Sequence, residues 1–336
     1  MALDQSGAVA FKARCTRATV LSTLLRLDVE AIAMEACAGA HDRARRLAEQ
    51  GRCVRLLVAA DVRAFVRGQK NDYNDAQAIA EAALPPTVRT VGVKTIEQQD
   101  IQMLHRMRSR LVQQRTALIN QARATLLECG VAVSRGRKTM ASKRPELPAR
   151  EDLGLTQARR DMLGQCLRGW REAEQQAQHI DAQPAAVARA DERCRRLLAV
   201  PGVGPLTATA LVAAVGNASE FGCGRDLAAW LGLVPRQHST GGLPRLLGIS
   251  KRGNTDLRWL FCHGGRSVRA HLEREQHAGG PWITGPETRM HPNKATVAMA
   301  AKRVRVSWVI LRRGVTYQPG GEVEVFEPSS CGAHVV

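Results

Sequence analysis

Residues 95–130 contain no proline, and no glycine before Gly130. Apolar side chains recur at Leu104, Met107, Leu111, Leu118 and Leu126, among Arg, Gln and His. Spacings of three, four and seven put them on one stripe of a long helix, which Gly130 is suited to end. The helix could pack against the preceding domain, self-associate as a coiled coil or stand as a solvated single helix, and the middle of the chain is expected to be helical. The basic stretch 131–155 holds two prolines and predicts a linker. Its cations Arg135, Arg137, Lys138, Lys143 and Arg144 suit nucleic acid, although a charge run is usually just solvated. Helical pattern returns over 157–180, and Pro184 is expected to open the next helix, so 95–183 reads as a helical, coiled-coil region.

Ahead of it, residues 1–94 alternate short apolar runs with helical patterns, as an α/β domain does. Strands are predicted at 8–13, 29–34, 54–58 and 89–93, with helices at 17–26, 39–50 and 75–84, an order that suits a ribonuclease-H-like sheet. Glu35 falls at the end of the second strand, while Asp72 and Asp75 lie three apart at the start of a helix and share a face. Clustered carboxylates hold hard divalent ions through oxygen, and a pair of ions can clamp both oxygens of a phosphodiester. The plainer alternative makes Asp72 a helix cap and lets Asp75 answer the N-terminal helix dipole.

Residues 184–314 carry the second concentration of signal. Val200-Pro201-Gly202-Val203-Gly204-Pro205 stands between a helix end and an Ala/Leu-rich helix, in the form of a helix-hairpin-helix. Gly202 and Gly204 are read as adopting backbone angles other residues resist and as baring N–H groups that suit a DNA phosphate. An ordinary tight turn is the alternative. Further on, Ser239-Thr240-Gly241-Gly242 forms a polar loop followed by Arg245, Lys251, Arg252 and Arg258. A serine hydroxyl becomes a useful nucleophile when its proton is removed or its product is stabilised, and cations can do the latter at a phosphodiester. His238 is a candidate proton acceptor, ranked below a simple loop histidine. Alone, such a loop is more often a solvated turn. Residues 257–272 and 293–313 read as basic helices, 276–292 as irregular, and 315–336 as a tail.

The 336 residues include 49 Lys+Arg against 31 Asp+Glu, a formal net charge of +18, for which a polyanion is the economical partner. No stretch is long and apolar enough to span a bilayer, and the nine cysteines show no C-x-x-C pair or zinc spacing, so a cytoplasmic protein with free thiols is expected. Aromatic residues make up only 4% of the chain, so binding is expected to rest on phosphate charge more than on base stacking.

The runs LGLVPRQHSTGG and RLLGISKRGNTDLRWLF, with MEACAGAHDRARRLAEQG, KNDYNDAQAIAEAALPP and NKATVAMAAKRVRVSWVILRRG, resemble the insertion-sequence transposases that combine a DEDD carboxylate site with a catalytic serine and are guided by a bridge RNA. That family is related to the pilin-gene DNA invertases, and the likeness covers nearly the whole chain. It implies a fold of α/β plus α, with a RuvC-like DEDD domain over 1–94 and a serine transposase domain over 184–314. It implies Ser239 as the nucleophile, Thr240 being the fallback, and Glu35, Asp72 and Asp75 as the second, third and fourth DEDD members, holding Mg2+. It further implies double-stranded DNA and a bridge RNA as partners, and a homo-oligomer, dimer or tetramer.

The first DEDD member is expected on an opening strand in a Gly-hydrophobic-Asp pattern. Residues 1–7 resemble the turn after that strand, which gives a domain lacking its first strand and a metal site lacking one carboxylate. Asp4 reads as a turn residue bonding nearby backbone. Two rival functions stay open: a DNA-binding remnant or repair-type helix-hairpin-helix protein without chemistry, and a metal-dependent junction nuclease with no use for the serine.

Overall fold

The computed structural model describes residues 1–69, 71–134, 154–271 and 280–318. The chain divides into two compact units, Met1–Glu97 and Gln98–Val336. In the first, β1 (Ala2–Leu3) and β2 (Val9–Phe11) form an antiparallel hairpin. Asp4 makes its turn: the Oδ1 atom accepts the Ser6 hydroxyl at 2.6 Å and the amides of Ser6 and Ala8 at 2.9 and 3.0 Å, and these bonds, the hydroxyl's first, hold its carboxyl below the usual range.

After α1 (Val20–Arg26), strand β3 (Ile32–Glu35) crosses over through α2 (Ala40–Glu49) to the parallel strand β4 (Val54–Leu57). The chain continues through α3 (Ala59–Val62), a 3-10 turn and α4 (Asp72–Ala83) to β5 (Thr90–Val91), antiparallel to β4. Successive strand residues face opposite sides, so Leu56 packs on Ala40 and Ala44 of α2 while Leu57 packs with Ala78 and Ala82 of α4. The single sheet expected from the pattern is thus two, β1–β2 and β3–β4–β5. Val9 and Phe11 of β2, 47% and 37% exposed, do not join the core.

Among the described residues, the second unit is helical apart from one β-hairpin. Helix α5 (Ile96–Leu127) lies antiparallel to α6 (Gln157–Ala190). Arg115 meets Glu174 at 2.9 Å, and seven residues earlier on α5 and seven later on α6 Arg108 meets Asp181 at 2.5 Å. Leu111 packs with Ala177 and Ile180, and Ala122 and Leu126 with Leu163, Cys166 and Leu167. Leu104, Leu111 and Leu126 of the apolar stripe are thus covered by α6 of the same chain, whereas Met107 is 48% exposed. Pro184 does not open a helix: it is buried inside α6, and Asp191 caps the next helix through the amides of Arg193 and Cys194.

Helices α7 (Glu192–Leu198), α8 (Pro205–Val215) and α9 (Gly224–Trp230) follow, then β6 (Pro235–Gln237) and β7 (Leu246–Ile249). Helices α10 (Thr255–His271), α11 (Gly280–Arg289) and α12 (Pro292–Arg313) complete the unit. Part of the segment expected to be irregular is thus helix α11. The main core joins Leu197, Leu211, Val212, Leu227, Phe261, Ala300, Val304 and Ile310, with α12 at its centre. Most of the basic linker, residues 135–153, and the tail beyond 318 lie outside the described residues. Among the described residues no helix is long and apolar enough to cross a membrane.

Candidate functional site

Glu35 closes β3 opposite Leu57 and is half-buried. Asp72 and Asp75 occupy the first turn of α4, Asp72 exposed and Asp75 half-buried. The cap of this helix is Asn71, whose Oδ1 accepts the amides of Tyr73 and Asn74 at 3.0 and 2.8 Å, so capping is not the task of Asp72. Both aspartates sit where the helix dipole favours negative charge. Among the described residues no three His, Cys, Asp or Glu side chains converge into a metal-holding group. The donor type fits magnesium, which characteristically takes one or two carboxylates and completes its shell with water and substrate phosphate. A closed protein cage is not what these residues form.

At the helix-hairpin-helix sequence, α7 ends in a turn over 199–204 that leads into α8. Gly202 has φ +83°, and a Cβ there would lie 2.6 Å from the Gly264 carbonyl oxygen and 2.8 Å from Val268 Cγ2. The turn is thus pressed onto α10 through a glycine–glycine contact. Gly204 has an ordinary φ of −89° and open space around it, which corrects the expectation that it needs a special backbone. It is the N-cap of α8, without a side-chain cap, and Pro205 follows at the first helical position, so the exposed helix start offers uncapped amides.

The loop bearing Ser239 is a β-hairpin. Pro235 pairs with Ile249, Gln237 with Leu246, and Thr240 bridges to Leu243. Gly241 and Gly242 have φ +57° and +75°, the two left-handed centres of a primed two-residue turn that matches strand twist. The register sets Pro244 opposite Ser239. Ser239 Oγ accepts hydrogen bonds from Gln237 Nε2 at 2.9 Å and from the Arg245 amide at 3.1 Å. Residues 235–248 are all exposed, so the hydroxyl is presented on a projecting ribbon. Ser239 Oγ is hydrogen-bonded to Gln237 and Arg245 rather than to His238, the candidate proton acceptor.

Arg245, Lys251 and Arg252 are exposed, whereas Arg258 is half-buried and clasps the ribbon's root. Its Nη1 donates to the carbonyls of Leu231 and Arg252 at 3.0 and 2.8 Å, and its Nη2 to Thr255 Oγ1 at 3.1 Å. The sequence reading missed Gly264 and this clasp. The Gly264-Gly265 pair inside a helix was the available signal for a close backbone approach.

Residues 194–278 match the family described as transposase IS116/IS110/IS902, and residues 2–130 match a DEDD transposase family of IS110 type. The chain is 42% identical to a probable family 20 transposase of Pseudomonas aeruginosa over 95% of its own length and 94% of that protein. It is 40% identical to the transposase of insertion sequence IS1111A of Coxiella burnetii, over 95% and 87% of the two chains. With the transposase of IS1328 of Yersinia enterocolitica the identity is 35%, over 94% and 93%.

Proposed function

The chain belongs to the IS110/IS116/IS902 family of insertion-sequence transposases, and from that premise we propose that it cuts and rejoins DNA through a covalent phosphoserine on Ser239. The supporting observation is the presentation of Ser239 Oγ on an exposed ribbon, with two donors fixing its position and Arg245 beside it. Attack by Oγ on a DNA phosphate forms a P–Oγ bond and breaks one P–O bond of the strand, and the departing oxygen leaves with a proton. Because the adduct keeps a phosphodiester, a second DNA hydroxyl can reverse the attack and reseal the strand without an outside energy source. Nearby cations stabilise the charge on the phosphoryl oxygens during both steps.

Glu35, Asp72 and Asp75 are proposed to hold Mg2+, which when bound would supply positive charge to a phosphodiester. The hairpin turn at Gly202 and Gly204, with Arg245, Lys251, Arg252 and Arg258, is proposed to grip phosphates of double-stranded DNA without reading bases. Selection of the DNA site by a bridge RNA, and assembly of two or four copies, belong to the same proposal.

The test is an adduct assay with end-labelled DNA carrying the insertion-sequence ends, the cognate RNA and Mg2+, resolved under denaturing conditions. Wild type and Thr240→Ala should shift the label to protein mobility, and Ser239→Ala should not. An adduct that persists in Ser239→Ala and disappears in Thr240→Ala would move the chemistry to Thr240. Cleavage without any adduct would favour a metal-dependent nuclease.

A further inference from the structure

Arg303 lies in the middle of α12, where its neighbours Met299, Ala300, Val304 and Ser307 are buried, and it is itself only 8% exposed. Its Nε donates to the carbonyl of Pro201 at 2.6 Å and its Nη1 to the carbonyl of Met299 at 3.0 Å. No carboxylate among the described residues pairs with it, in contrast to Arg115 with Glu174. Burial presses its pKa down to about 10. A cation removed from water with no counter-anion is destabilising, and carbonyl dipoles offset only part of that loss.

The Pro201 carbonyl belongs to the turn that opens α8. The start of α8 has no side-chain cap, and Gly204 and Pro205 leave it exposed. The uncapped helix start and the buried guanidinium therefore set two positive sources against one turn. In water-poor surroundings the field of Arg303 is less screened than that of an exposed side chain at the same distance from an anion at the turn.

We infer that Arg303 is a positioning residue for DNA binding, whose missing counter-anion is a backbone phosphate seated at the 200–206 turn. The inference rests on the reading that this turn grips DNA. It assigns Arg303 two tasks, holding the turn through Pro201 and charging it from beneath.

The test uses the full chain and a mixed-sequence 30-bp DNA duplex, since phosphate contacts are independent of sequence, with anisotropy titrations across a salt series. Arg303→Gln can keep a hydrogen bond to Pro201 but loses the charge, and Arg303→Lys keeps the charge. The expected result is that Arg303→Gln binds roughly tenfold more weakly at low salt, with a salt slope smaller by about one ion, while Arg303→Lys restores most of both. A role in structure alone would make the two variants equally weak, or the glutamine the stronger. Either result, or glutamine binding like wild type, overturns the inference while leaving the DNA reading intact. A wild type that does not bind the duplex overturns both. Should Arg303→Gln not fold, the Arg303 Nε–H resonance of labelled wild type decides: it should shift on saturation with the duplex, and an unmoved resonance refutes the role.

Discussion

Replacing Gly264 by alanine tests whether the hairpin turn is held by backbone contact with α10. A Cβ on Gly264 would lie 1.9 Å from the Gly202 carbonyl oxygen and 3.0 Å from its carbon. The helix and the turn would have to separate by roughly 1.5 Å to recover ordinary van der Waals contact. Neither neighbour is a flexible side-chain end, so the strain falls on two backbones. Overpacking of this kind costs about 3 kcal/mol, the upper part of its usual range. For a unit of this size that lowers Tm by about 6–12 °C. Gly204→Ala is the internal control, because its φ is ordinary and nothing lies within 4 Å, so it should cost about 1 kcal/mol or less. Thermal unfolding followed by circular dichroism, with duplex affinity on the same samples, reads both. A Gly264→Ala protein melting within about 1 °C of wild type, or a Gly204→Ala protein melting lower than it, would refute the packing argument.

Arg258→Met should loosen the serine ribbon: with the Leu231 and Arg252 carbonyls unpaired, a stability loss of about 1–3 kcal/mol is expected by chemical unfolding. Adduct yield should fall further than duplex affinity, and the reverse order would mark Arg258 as chiefly a phosphate contact. His105, on α5, bonds Thr209 Oγ1 at 2.9 Å, and burial, then Arg108, lower its pKa to about 4. The folded state resists a proton that the unfolded state accepts below pH about 6.5, so this penalty is absent above that pH and grows as pH falls toward 4. Between pH 7 and pH 5 it should remove about 2 kcal/mol, and His105→Gln should show that much less pH dependence in urea titrations at the two values. Arg115→Met leaves Glu174 without its guanidinium at a site where the side chains are only 18% and 11% exposed. It should cost about 2–4 kcal/mol, and the double change Arg115→Met with Glu174→Leu should recover most of that loss; additive losses in thermal unfolding would contradict the desolvation argument.

Much of this was legible wherever local periodicity decides structure. The run without proline or glycine gave α5, and Leu56 and Leu57 reveal by alternation a strand packed on both faces. Asp4 was readable as a turn residue because its bonds are to near neighbours. What escaped depends on contacts between distant residues. That α6 covers the stripe of α5 follows from pairs such as Arg115 and Glu174, 59 positions apart. Pro184 reads locally as a helix start, yet the buried packing around it carries α6 past it. The primed turn at Gly241-Gly242 was within reach of the sequence, since two adjacent glycines between Ser239-Thr240 and Leu243 are a hairpin signal, but cations and polar residues around it suggested a loop.

Helix α10 links the two features on which the proposed chemistry depends. At its N-terminal end Arg258 grips the root of the ribbon that bears Ser239, and six residues later Gly264 presses against Gly202 in the hairpin turn. Those six residues span about 9 Å of helix, so the serine arm and the turn are set on one rigid rod. The root is itself tightly built: a Cβ on Gly253 would lie 1.8 Å from the Trp230 carbonyl oxygen, and one on Gly232 would lie 2.4 Å from the Arg252 carbonyl oxygen. Only the ribbon beyond this root is exposed, and it carries no core side chain. A phosphate held at the turn, as proposed, would therefore rest on the same rod that anchors the base of the ribbon. A fixed anchor of this kind suits the role proposed for Ser239, in which the nucleophile has to be held at a set distance from a gripped phosphate.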